Sequence, residues 1–469
     1  MSDTMAHDET FRDEVGTINK QGKRNWIYAQ KPKGKFYRAR TFVSLVFLSL
    51  FFTLPFIKIH GNPIFLFNVL ERKFIFFGVT FWPQDFFIFG IGMLTFILFI
   101  VVFTVVYGRV FCGWVCPQTV FMEMVFRKIE YLIEGDAAHQ RALNNGPWNS
   151  KKVVKKTIKH TVFFILAYII AHTFLAYIIG VDELYRIMNE PLSQHIGGFI
   201  AILAFTGVFY GVYAWFREQV CLIVCPYGRL QGVMTDKNSI LVAYDYKRGE
   251  PREKYKKSST QPMGDCIDCF QCVKVCPVAI DIRNGTQLEC TSCTACMDAC
   301  DFMMEKTGRK KGLIRYASEN GIAKGEKLRI TTRIVAYTGV LLLLIGILTV
   351  LLVTRKDVDA TILRTPGMLF QKQENKMISN LYNIKLINKT QETVPITLKL
   401  ESGKGHIQMV GKNITVKKES KGESSFFIFL PEETITNRKT TLYVGVYSGN
   451  TKLETVKTTF LGPIKHKNK

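Results

Sequence analysis

The sequence predicts a multi-domain membrane protein with three kinds of structure. These are an α-helical transmembrane bundle of five spans, an inserted cytoplasmic α+β domain of the bacterial ferredoxin type, and a C-terminal all-β immunoglobulin-like sandwich. Three observations predict this fold class. Long apolar stretches recur along the chain, all twelve cysteines lie within its first 300 residues, and short alternating segments fill its C-terminal part.

Composition excludes several other classes of protein. The 469 residues are 48% hydrophobic and include 36 Phe, with 62 Lys and Arg residues against 38 Asp and Glu residues. Disordered chains, collagens and small disulfide scaffolds do not have this composition. A net charge of +24 is also typical of nucleic-acid-binding proteins. The basic residues lie beside apolar stretches, however, so we expect no nucleic-acid partner and a membrane lipid environment.

Five apolar stretches approach the ~20 residues that a transmembrane helix needs. The first is the shortest, contains Pro55 and follows a basic run, so we expect a membrane anchor there rather than a cleaved signal peptide. The predicted spans are Thr41–Ile57, Phe86–Tyr107, Thr161–Val181, Ile196–Phe216 and Ile334–Val353.

Lysine and arginine are unevenly distributed around these spans. There are 9 before the first span, 9 in residues 108–159 and 20 in residues 217–333, but only 3 in residues 57–85 and 1 in residues 182–195. Cytoplasmic loops of membrane proteins are rich in Lys and Arg. The N-terminus and the two basic loops are therefore predicted to be cytoplasmic, in a bacterial inner membrane, and the C-terminal part periplasmic.

Two loops have further predicted roles. Residues 63–82 predict an outside hairpin resting on the membrane interface, and the basic residues 237–262 form either a solvated linker or a docking site for an acidic electron donor or anionic lipid. The predicted domains are a cytoplasmic N-terminal tail (1–40), transmembrane helices 1 to 4 (41–235), a cytoplasmic two-cluster ferredoxin domain (236–332), transmembrane helix 5 (333–354) and a periplasmic immunoglobulin-like domain (355–469).

Eight cysteines form two consecutive runs with the spacing C-x2-C-x2-C-x3-C, and Pro277 follows the first run. In bacterial ferredoxins, three cysteines of each such run hold one cluster and the fourth completes the other. Zinc sites space their C-x2-C units farther apart, so two [4Fe–4S] clusters are predicted. Asp301 stands where a second proline would follow, and its charge is expected to lower a cluster potential. The predicted ligands are Cys266, Cys269, Cys272 and Cys300 for one cluster, and Cys276, Cys290, Cys293 and Cys296 for the other.

The other four cysteines form a repeat at the predicted cytoplasmic edge of the membrane. Cys112 and Cys116 follow the second span, Cys221 and Cys225 follow the fourth, and each pair reads C-x3-C-P. In a continued helix, residues i and i+4 share one face, and the proline would end or kink that helix. Three uses stay open: the thiols hold a soft metal such as Cu(I), cycle between dithiol and disulfide, or pack as small buried residues.

Histidines and methionines near the spans are further candidate ligands. Haem ligation by histidine is weighed against hydrogen-bonded packing, and copper binding by methionine thioethers against apolar packing, with packing the favoured interpretation in both cases. The residues are His60, His160, His172 and His195, and Met122, Met124, Met303 and Met304.

After the fifth span, the pattern changes to short segments separated by Gly, Asn and Ser. About seven such strands are typical of an immunoglobulin-like sandwich, although this part has neither Cys nor Trp. We expect a domain that binds or positions a partner. The predicted strands are Leu381–Ile387, Pro395–Leu400, His406–Val410, Ile414–Lys417, Ser424–Leu430, Thr440–Tyr447 and Thr451–Phe460.

Together these features resemble the CcoG, FixG or RdxA family of accessory proteins, which are required for assembly of cbb3-type cytochrome c oxidases. The resemblance runs from about Lys31 to the end and includes the segment Phe111–Pro117 (FCGWVCP) and the run Cys290–Cys300 followed by Asp301. The C-x3-C-P pair is shared with the related membrane proteins NapH and NosR, whereas the trailing sandwich favours the CcoG type.

The resemblance implies a role in copper supply. It implies an oxidoreductase that passes electrons from a cytoplasmic donor through two [4Fe–4S] clusters and reduces Cu(II) to Cu(I). Its catalytic, copper-contacting residues would be Cys112, Cys116, Cys221 and Cys225. Implied partners are oxidase assembly factors or copper chaperones, and a homo-oligomer stays open. The alternatives are a quinol-linked electron-transfer protein of the NapH type, a non-catalytic assembly scaffold and a haem-bearing reductase.

Overall fold

The computed structural model describes residues 17–18, 21, 23–59, 61–69, 72–77, 79–82, 85–254, 263–325, 332–373, 376–390, 392–411, 414–435 and 437–463. His60, most of the tail before residue 23 and part of the basic segment 237–262 therefore lie outside the described residues. The α-helices are α1 (Lys35–Thr53), α2 (Phe86–Tyr107), α3 (Val110–Trp114), α4 (Pro117–Thr119), α5 (Arg127–Ile133), α6 (Ala137–Asn145), α7 (Ser150–Ile179), α8 (Val181–Asn189), α9 (Ile196–Gly211), α10 (Pro226–Met234), α11 (Tyr246–Gly249), α12 (Gln271–Lys274), α13 (Ala295–Lys306), α14 (Glu319–Lys324) and α15 (Thr332–Val353).

Strands occur in three parts of the chain. They are β1 (Lys58–Ile59), β2 (Asn62–Pro63), β3 (Phe65–Asn68), β4 (Lys73–Phe76), β5 (Val79–Phe81), β6 (Leu241–Tyr244), β7 (Ile314–Ala317), β8 (Val358–Arg364), β9 (Gln371–Gln373), β10 (Met377–Asn388), β11 (Val394–Leu400), β12 (His406–Val410), β13 (Ile414–Val416), β14 (Lys421–Pro431), β15 (Lys439–Ser448) and β16 (Thr451–Leu461).

Five helices in the described residues are long and apolar enough to cross a membrane. The first begins at Lys35 rather than at the predicted Thr41, and the third begins at Ser150 rather than at Thr161. The third helix is longer than its apolar stretch because its lysine-rich first turns are also helical, with the Asn149 side chain accepting a hydrogen bond from a backbone N–H of the first turn. The five helices are Lys35–Phe56, Phe86–Tyr107, Ser150–Ile179, Ile196–Phe216 and Ile334–Val353.

The chain divides into two compact units. The first comprises residues 1–57, 65–68 and 89–346, and the second comprises residues 58–64, 69–88 and 347–469. The first unit therefore holds most of the helices and all twelve cysteines, and the second holds the C-terminal strands.

Aromatic side chains form the core of the helical part of the first unit. The ring of Phe126 stacks on that of Tyr213 with centroids 4.4 Å apart, and Phe163 meets Phe126 edge-on at 4.9 Å. Three stretches of this part are π-helical, an uncommon geometry that is frequent at functional sites. They are Val120–Phe126, Val212–Phe216 and Val220–Val224.

A network of buried ion pairs ties α5 to α7 and to the end of the fourth span. Glu130 accepts from Arg217 at 3.0 Å and from Lys159 at 3.4 Å, and Lys159 also contacts Glu134 at 2.8 Å. Burial alone would raise the pKa of Glu130, but Arg217, Lys159 and Arg127 lower this pKa below its ordinary value. The carboxylate is therefore held ionised inside the protein.

The ferredoxin region of the first unit is closed by a short antiparallel sheet. Leu241 of β6 pairs with Ala317 of β7, and Tyr244 pairs with Ile314. The apolar core beneath includes the fully buried Met304 together with several of the cysteines. Two chain segments that are distant in sequence thus enclose the two cysteine runs.

The second unit contains a sandwich of two antiparallel sheets. One sheet has the strand order β12-β14-β10-β8, with β9 also paired to β10, and the other has the order β13-β11-β15-β16. Alternate side chains of both sheets fill one apolar core, in which Tyr382 is fully buried and donates its hydroxyl to the carbonyl of Thr459 at 3.0 Å. Six of the seven predicted strands lie within observed ones, and the seventh, Ile414–Lys417, extends one residue beyond β13. Strands β8 and β9 were not predicted.

Most of the segment between the first two spans belongs to this second unit, although residues 65–68 belong to the first. Its strands β4 and β5 form an antiparallel hairpin. Glu419 of the sandwich accepts hydrogen bonds from Lys73 at 2.8 Å and from Thr80 at 2.6 Å. Asp85 accepts from Arg355 at 2.9 Å and from Lys389 at 2.6 Å. The predicted hairpin therefore packs on the sandwich.

Candidate iron–sulfur and membrane-edge cysteine sites

The two ferredoxin-type runs have matching backbones. In the first run, Asp268 and Phe270 have φ angles of 48° and 58°, and in the second run Ser292 and Thr294 have φ angles of 54° and 64°. Non-glycine residues rarely adopt this left-handed region, so its repetition at equivalent positions marks the same tight loop in both runs. Each loop then enters a helix, α12 or α13.

The first cysteine set lines one cavity, which we call the first cluster cavity. Its apolar walls include Tyr244, Met303 and Leu313. Burial raises the pKa of Cys272 to about 12, although the nearby guanidinium of Arg283 opposes this rise. The cysteines lining the cavity are Cys266, Cys269, Cys272 and Cys300.

The second cysteine set lines a separate cavity, which we call the second cluster cavity. Pro277 and Ile280 form part of its wall, and Cys272 of the first set also lines it. Burial raises the pKa of Cys290 to about 11. The set consists of Cys276, Cys290, Cys293 and Cys296.

Both donor sets fit iron–sulfur clusters. Four soft sulfur ligands converge on each cavity, apolar walls exclude water, and cluster iron would favour the thiolate that burial alone disfavours. The structure therefore brings together each ligand set that the spacing predicts, and iron binding by these individual residues stays a prediction. Asp301 accepts a hydrogen bond from the backbone N–H of Gly312 at 2.8 Å beside Cys300, so its charge lies next to the first set.

The two membrane-edge pairs share one backbone geometry. The amide of Cys116 donates to the carbonyl of Phe111 at 2.9 Å, and that of Cys225 donates to Val220 at 2.8 Å, each a bond to the residue five positions earlier. Both cysteines then leave the helical conformation and stand as N-caps before a proline that begins a new helix. The helix at each pair therefore does not continue through the second cysteine, and the proline begins the following helix.

The structure brings the two pairs together. The thiol of Cys112 lies 3.2 Å from Oε1 of the fully buried Gln231 on α10, the helix that follows the second pair. Arg109 donates to the carbonyl of Gly228 on the same helix. The ring of Phe111 meets that of Tyr227 at 6.3 Å. Residues next to each motif thus contact each other, although 119 positions separate Cys112 from Gln231.

Burial and mutual proximity act on the membrane-edge thiols. Burial, with a smaller contribution from the neighbouring cysteines, raises the pKa of Cys112 and of Cys221 to about 12. A soft cation would reverse this effect by stabilising the thiolates. In the part of the chain that the structure describes, no three His, Cys, Asp or Glu side chains converge tightly enough to hold a single metal ion.

The histidines and methionines have packing contacts. His160 lies 2.8 Å from the Tyr210 hydroxyl, His172 lies 2.9 Å from the Tyr168 carbonyl of its own helix, and His195 contacts Glu190. Met122 is buried in the aromatic helical core, and Met124 is buried with its sulfur 4.0 Å from the Thr41 hydroxyl. Met303 and Met304 line the first cluster cavity.

Three segments of the chain match known families. Residues 216–319 match the 4Fe-4S dicluster domain, residues 89–134 match a 4Fe-4S binding domain, and residues 348–463 match the immunoglobulin-like fold at the C-terminus of FixG. The last two matches include the first membrane-edge pair and the sandwich.

A relative that aligns with most of the chain decides the family assignment. Protein RdxA of Cereibacter sphaeroides is 32% identical over 398 residues, which cover 81% of this chain and 83% of RdxA. The chain belongs to the FixG/RdxA family. Nitrogen fixation protein FixG of Rhizobium meliloti is 38% identical over 311 residues, which cover 63% of this chain and 58% of FixG, less than two thirds of its length.

A solved FixG-related protein from Vibrio parahaemolyticus is also similar. It shares 17% identity with a TM-score of 0.21, covering 24% of this chain and 100% of its own, and this likeness is too weak to carry an argument. Membership of the FixG/RdxA family and the matched 4Fe-4S domains make this chain a membrane iron–sulfur redox protein.

Several site residues of this FixG/RdxA chain carry no motif signal. Gln231, Arg109 and Asp298 act through contacts between distant segments, which no local spacing reveals. Gly113 does carry a signal, because a glycine between two cysteines is typical of a position where another group approaches the backbone closely. Its neighbours prove to be residues of the second ferredoxin run.

Proposed function

We propose that this protein is a membrane-bound electron-transfer protein that acts in cbb3-type oxidase assembly and reduces Cu(II) to Cu(I). The observation that carries the proposal is the convergence of two C-x3-C-P pairs beside the second cluster cavity. Cys112 reaches Gln231 behind the second pair, and Arg109 donates both to Gly228 and, at 3.5 Å, to the carbonyl of Cys290.

Two [4Fe–4S] clusters are the proposed resident cofactors, each held by one of the two cysteine sets described above. When bound, such a cluster takes up and gives back single electrons. A cytoplasmic donor loses one electron for each Cu(II) that becomes Cu(I), and no proton or leaving group is required. The role of the membrane-edge thiols is to contact the copper, because thiolates prefer Cu(I) over harder ions.

The proposed topology places the ferredoxin region in the cytoplasm and the sandwich in the periplasm of an inner membrane. The distribution of Lys and Arg supports it. A further argument is that the loop predicted to lie outside, between the first two spans, packs on the sandwich through Lys73 and Glu419. Copper chaperones or oxidase assembly factors are the proposed partners.

The first test removes the membrane-edge thiols. Full-length protein is purified without oxygen, reduced, and mixed with Cu(II) in the presence of a chromogenic Cu(I) chelator. Replacing the four cysteines by serine should leave iron content and the electron paramagnetic resonance (EPR) spectrum intact and reduce Cu(I) formation by at least about a hundredfold, the scale of losing a key catalytic contact. The four changes are Cys112→Ser, Cys116→Ser, Cys221→Ser and Cys225→Ser.

The matched control is Met122→Leu, which removes a nearby sulfur from the apolar core and should leave Cu(I) formation unchanged. Full-rate copper reduction by the fourfold serine variant would contradict the proposal. Copper-independent oxidation of a quinol by the unsubstituted protein would instead support a NapH-type function, and redox-inert clusters would support a scaffold.

A further inference from the structure

The glycine between the first two membrane-edge cysteines touches the second ferredoxin run directly. A Cβ atom added at Gly113 would lie 2.5 Å from the carbonyl oxygen of Thr291 and 2.8 Å from that of Ser292. Side-chain carbons do not approach oxygen so closely without a shift of the backbone. Only glycine lets these two backbones meet here, between Cys112 and the loop from Cys290 to Cys293.

Neighbouring side chains reinforce the same contact. The indole N–H of Trp114 donates to the Tyr316 hydroxyl at 3.1 Å, and that hydroxyl donates to the Ser292 carbonyl at 3.4 Å. Arg40 of α1 donates to the Gly113 carbonyl at 2.6 Å, and this arginine is 3% exposed. One buried and two partly buried hydrogen bonds therefore hold the membrane-edge segment at this glycine.

The first cysteine run faces other surroundings. Phe270, in the middle of that run, is 44% exposed, and the Arg283 guanidinium lies 4.1 Å from its ring centroid. Arg283 is also paired with Asp268 at 2.5 Å. Aromatic residues and arginine are enriched at protein–protein interfaces, so Phe270 and Arg283 form a surface suited to contact a partner protein.

We infer that the two cysteine sets have different partners: the second set exchanges electrons with the membrane-edge cysteines across the Gly113–Ser292 contact, and the first set takes electrons from the cytoplasmic donor beside Phe270. This inference rests on the proposed function and adds the direction in which electrons move through the protein. A cluster held by Cys276, Cys290, Cys293 and Cys296 would supply one electron for each Cu(II) at the membrane edge that becomes Cu(I), and the cytoplasmic donor would replace that electron through the first set. The second set is assigned to the membrane edge because its run contacts the segment that carries Cys112. Electron transfer slows steeply as the distance between centres increases.

The test uses the full-length protein, purified without oxygen, in a potentiometric titration followed by EPR. Gly113→Ala should shift one of the two midpoint potentials, because it displaces the carbonyls next to the second set. Asp268→Asn should shift the other potential upward, because it removes a negative charge beside the first set. Asparagine tolerates the left-handed backbone at this position. Gly207→Ala, in a span with open space around the glycine, should shift neither potential.

A kinetic measurement accompanies the titration. The pre-reduced protein is mixed with Cu(II), and reoxidation is followed by visible absorbance. Gly113→Ala should slow reoxidation by roughly tenfold or more relative to Gly207→Ala, the scale of an ångström-sized displacement in a reacting pair. Tyr316→Phe, which keeps the ring and removes the hydroxyl between Trp114 and Ser292, should shift the same potential as Gly113→Ala, and it replaces that variant if the latter fails to fold.

The outcomes separate the two proposals. If the unsubstituted protein does not reduce Cu(II), the proposed function fails. The titration still decides whether substitutions at Gly113 and Asp268 shift different midpoint potentials. If Gly113→Ala shifts both potentials or neither, or is reoxidised as fast as the Gly207→Ala control, the inference is overturned whatever the protein does to copper.

Discussion

The carboxylate of Asp298 joins the ferredoxin region to the first span. It lies between Cys296 and Cys300 on α13 and accepts hydrogen bonds from the backbone amides of Phe36 at 3.1 Å and Tyr37 at 2.7 Å. The first amides of a helix have no hydrogen-bond partner within the helix and carry partial positive charge. A carboxylate there supplies both a hydrogen-bond acceptor and a compensating negative charge. The N-cap of α1 is thus supplied from more than 260 positions away.

Replacing this residue should loosen the ferredoxin region. We expect Asp298→Ala to lower the free energy of unfolding by about 1–2 kcal/mol, the cost of losing a helix cap. The measurement is chemical denaturation of anaerobically purified protein. Glu305→Gln on the same helix, which removes an exposed pair with Lys311, should change stability by no more than about 0.5 kcal/mol. Equal effects of the two changes would contradict the assigned role.

At the level of elements, buried ion pairs hold α5 against α7. Glu130 is enclosed by Arg217 and Lys159, and all three side chains are at most 7% exposed. Removing one member of such a network leaves the remaining charges buried without compensation, which is the costly case for buried ion pairs. α5 continues the helical stretch that begins at Pro117, directly after the first cysteine pair, so the network anchors the segment that follows this pair.

This network predicts a pH-dependent stability. Because the folded-state pKa of Glu130 is lowered, its contribution is complete above the ordinary value of 4.5 and is lost as the pH falls below 4.5 through the lowered pKa. Glu130→Gln should cost about 3–5 kcal/mol at neutral pH, and the difference from the unsubstituted protein should shrink in acid. Denaturation at a series of pH values measures this difference.

The control for this series is Glu319→Gln, whose pairing with Lys237 is exposed and spans 3.7 Å. It should change stability little at any pH. A loss for Glu130→Gln that stays constant from neutral to acidic pH would show that the carboxylate charge does not matter there.

Local patterns located the elements well and their ends less well. The spans Phe86–Tyr107 and Ile334–Val353 were predicted correctly because hydropathy changes sharply at their ends. The start of α7 was missed because its first turns are rich in lysine, and β8 was missed because its residues do not alternate cleanly. The turn geometry at Cys116 was missed because bonds to the fifth preceding residue have no sequence signature.

At the scale of the whole molecule, the two units have separate cores. The sandwich core is built from side chains such as Tyr382 and Phe426 and contains no cysteine, whereas the cysteine runs contribute to the core of the ferredoxin region. Cluster binding supplies folding free energy only where the ligands are. The two units should therefore respond differently to loss of iron.

Iron removal is expected to expose one part of the chain to proteases and leave another resistant. After oxidation and chelation, trypsin should cleave within residues 236–332, while a fragment covering residues 355–469 persists. Limited proteolysis with mass spectrometry of the intact fragments checks this, and untreated anaerobic protein is the control. Digestion of the C-terminal fragment in step with the ferredoxin region would contradict the independence of the two cores.

What the sequence could not predict at this scale is which distant segments meet. Each cysteine run was assigned from its spacing alone, and the two cavities group the cysteines in the same way. The meeting of Gly113 with Ser292, or of Cys112 with Gln231, depends on how the helices pack. Packing of this kind has no local signal because it joins residues more than a hundred positions apart.

The docking of the hairpin on the sandwich also sets an order of events during synthesis. Lys73 leaves the ribosome 346 residues ahead of Glu419, and Asp85 leaves it 304 residues ahead of Lys389. Nearly the whole polypeptide must be translated and inserted before these early residues acquire their final neighbours. A nascent chain that ends before Lys389 would leave Lys73 and Asp85 without these two sandwich partners.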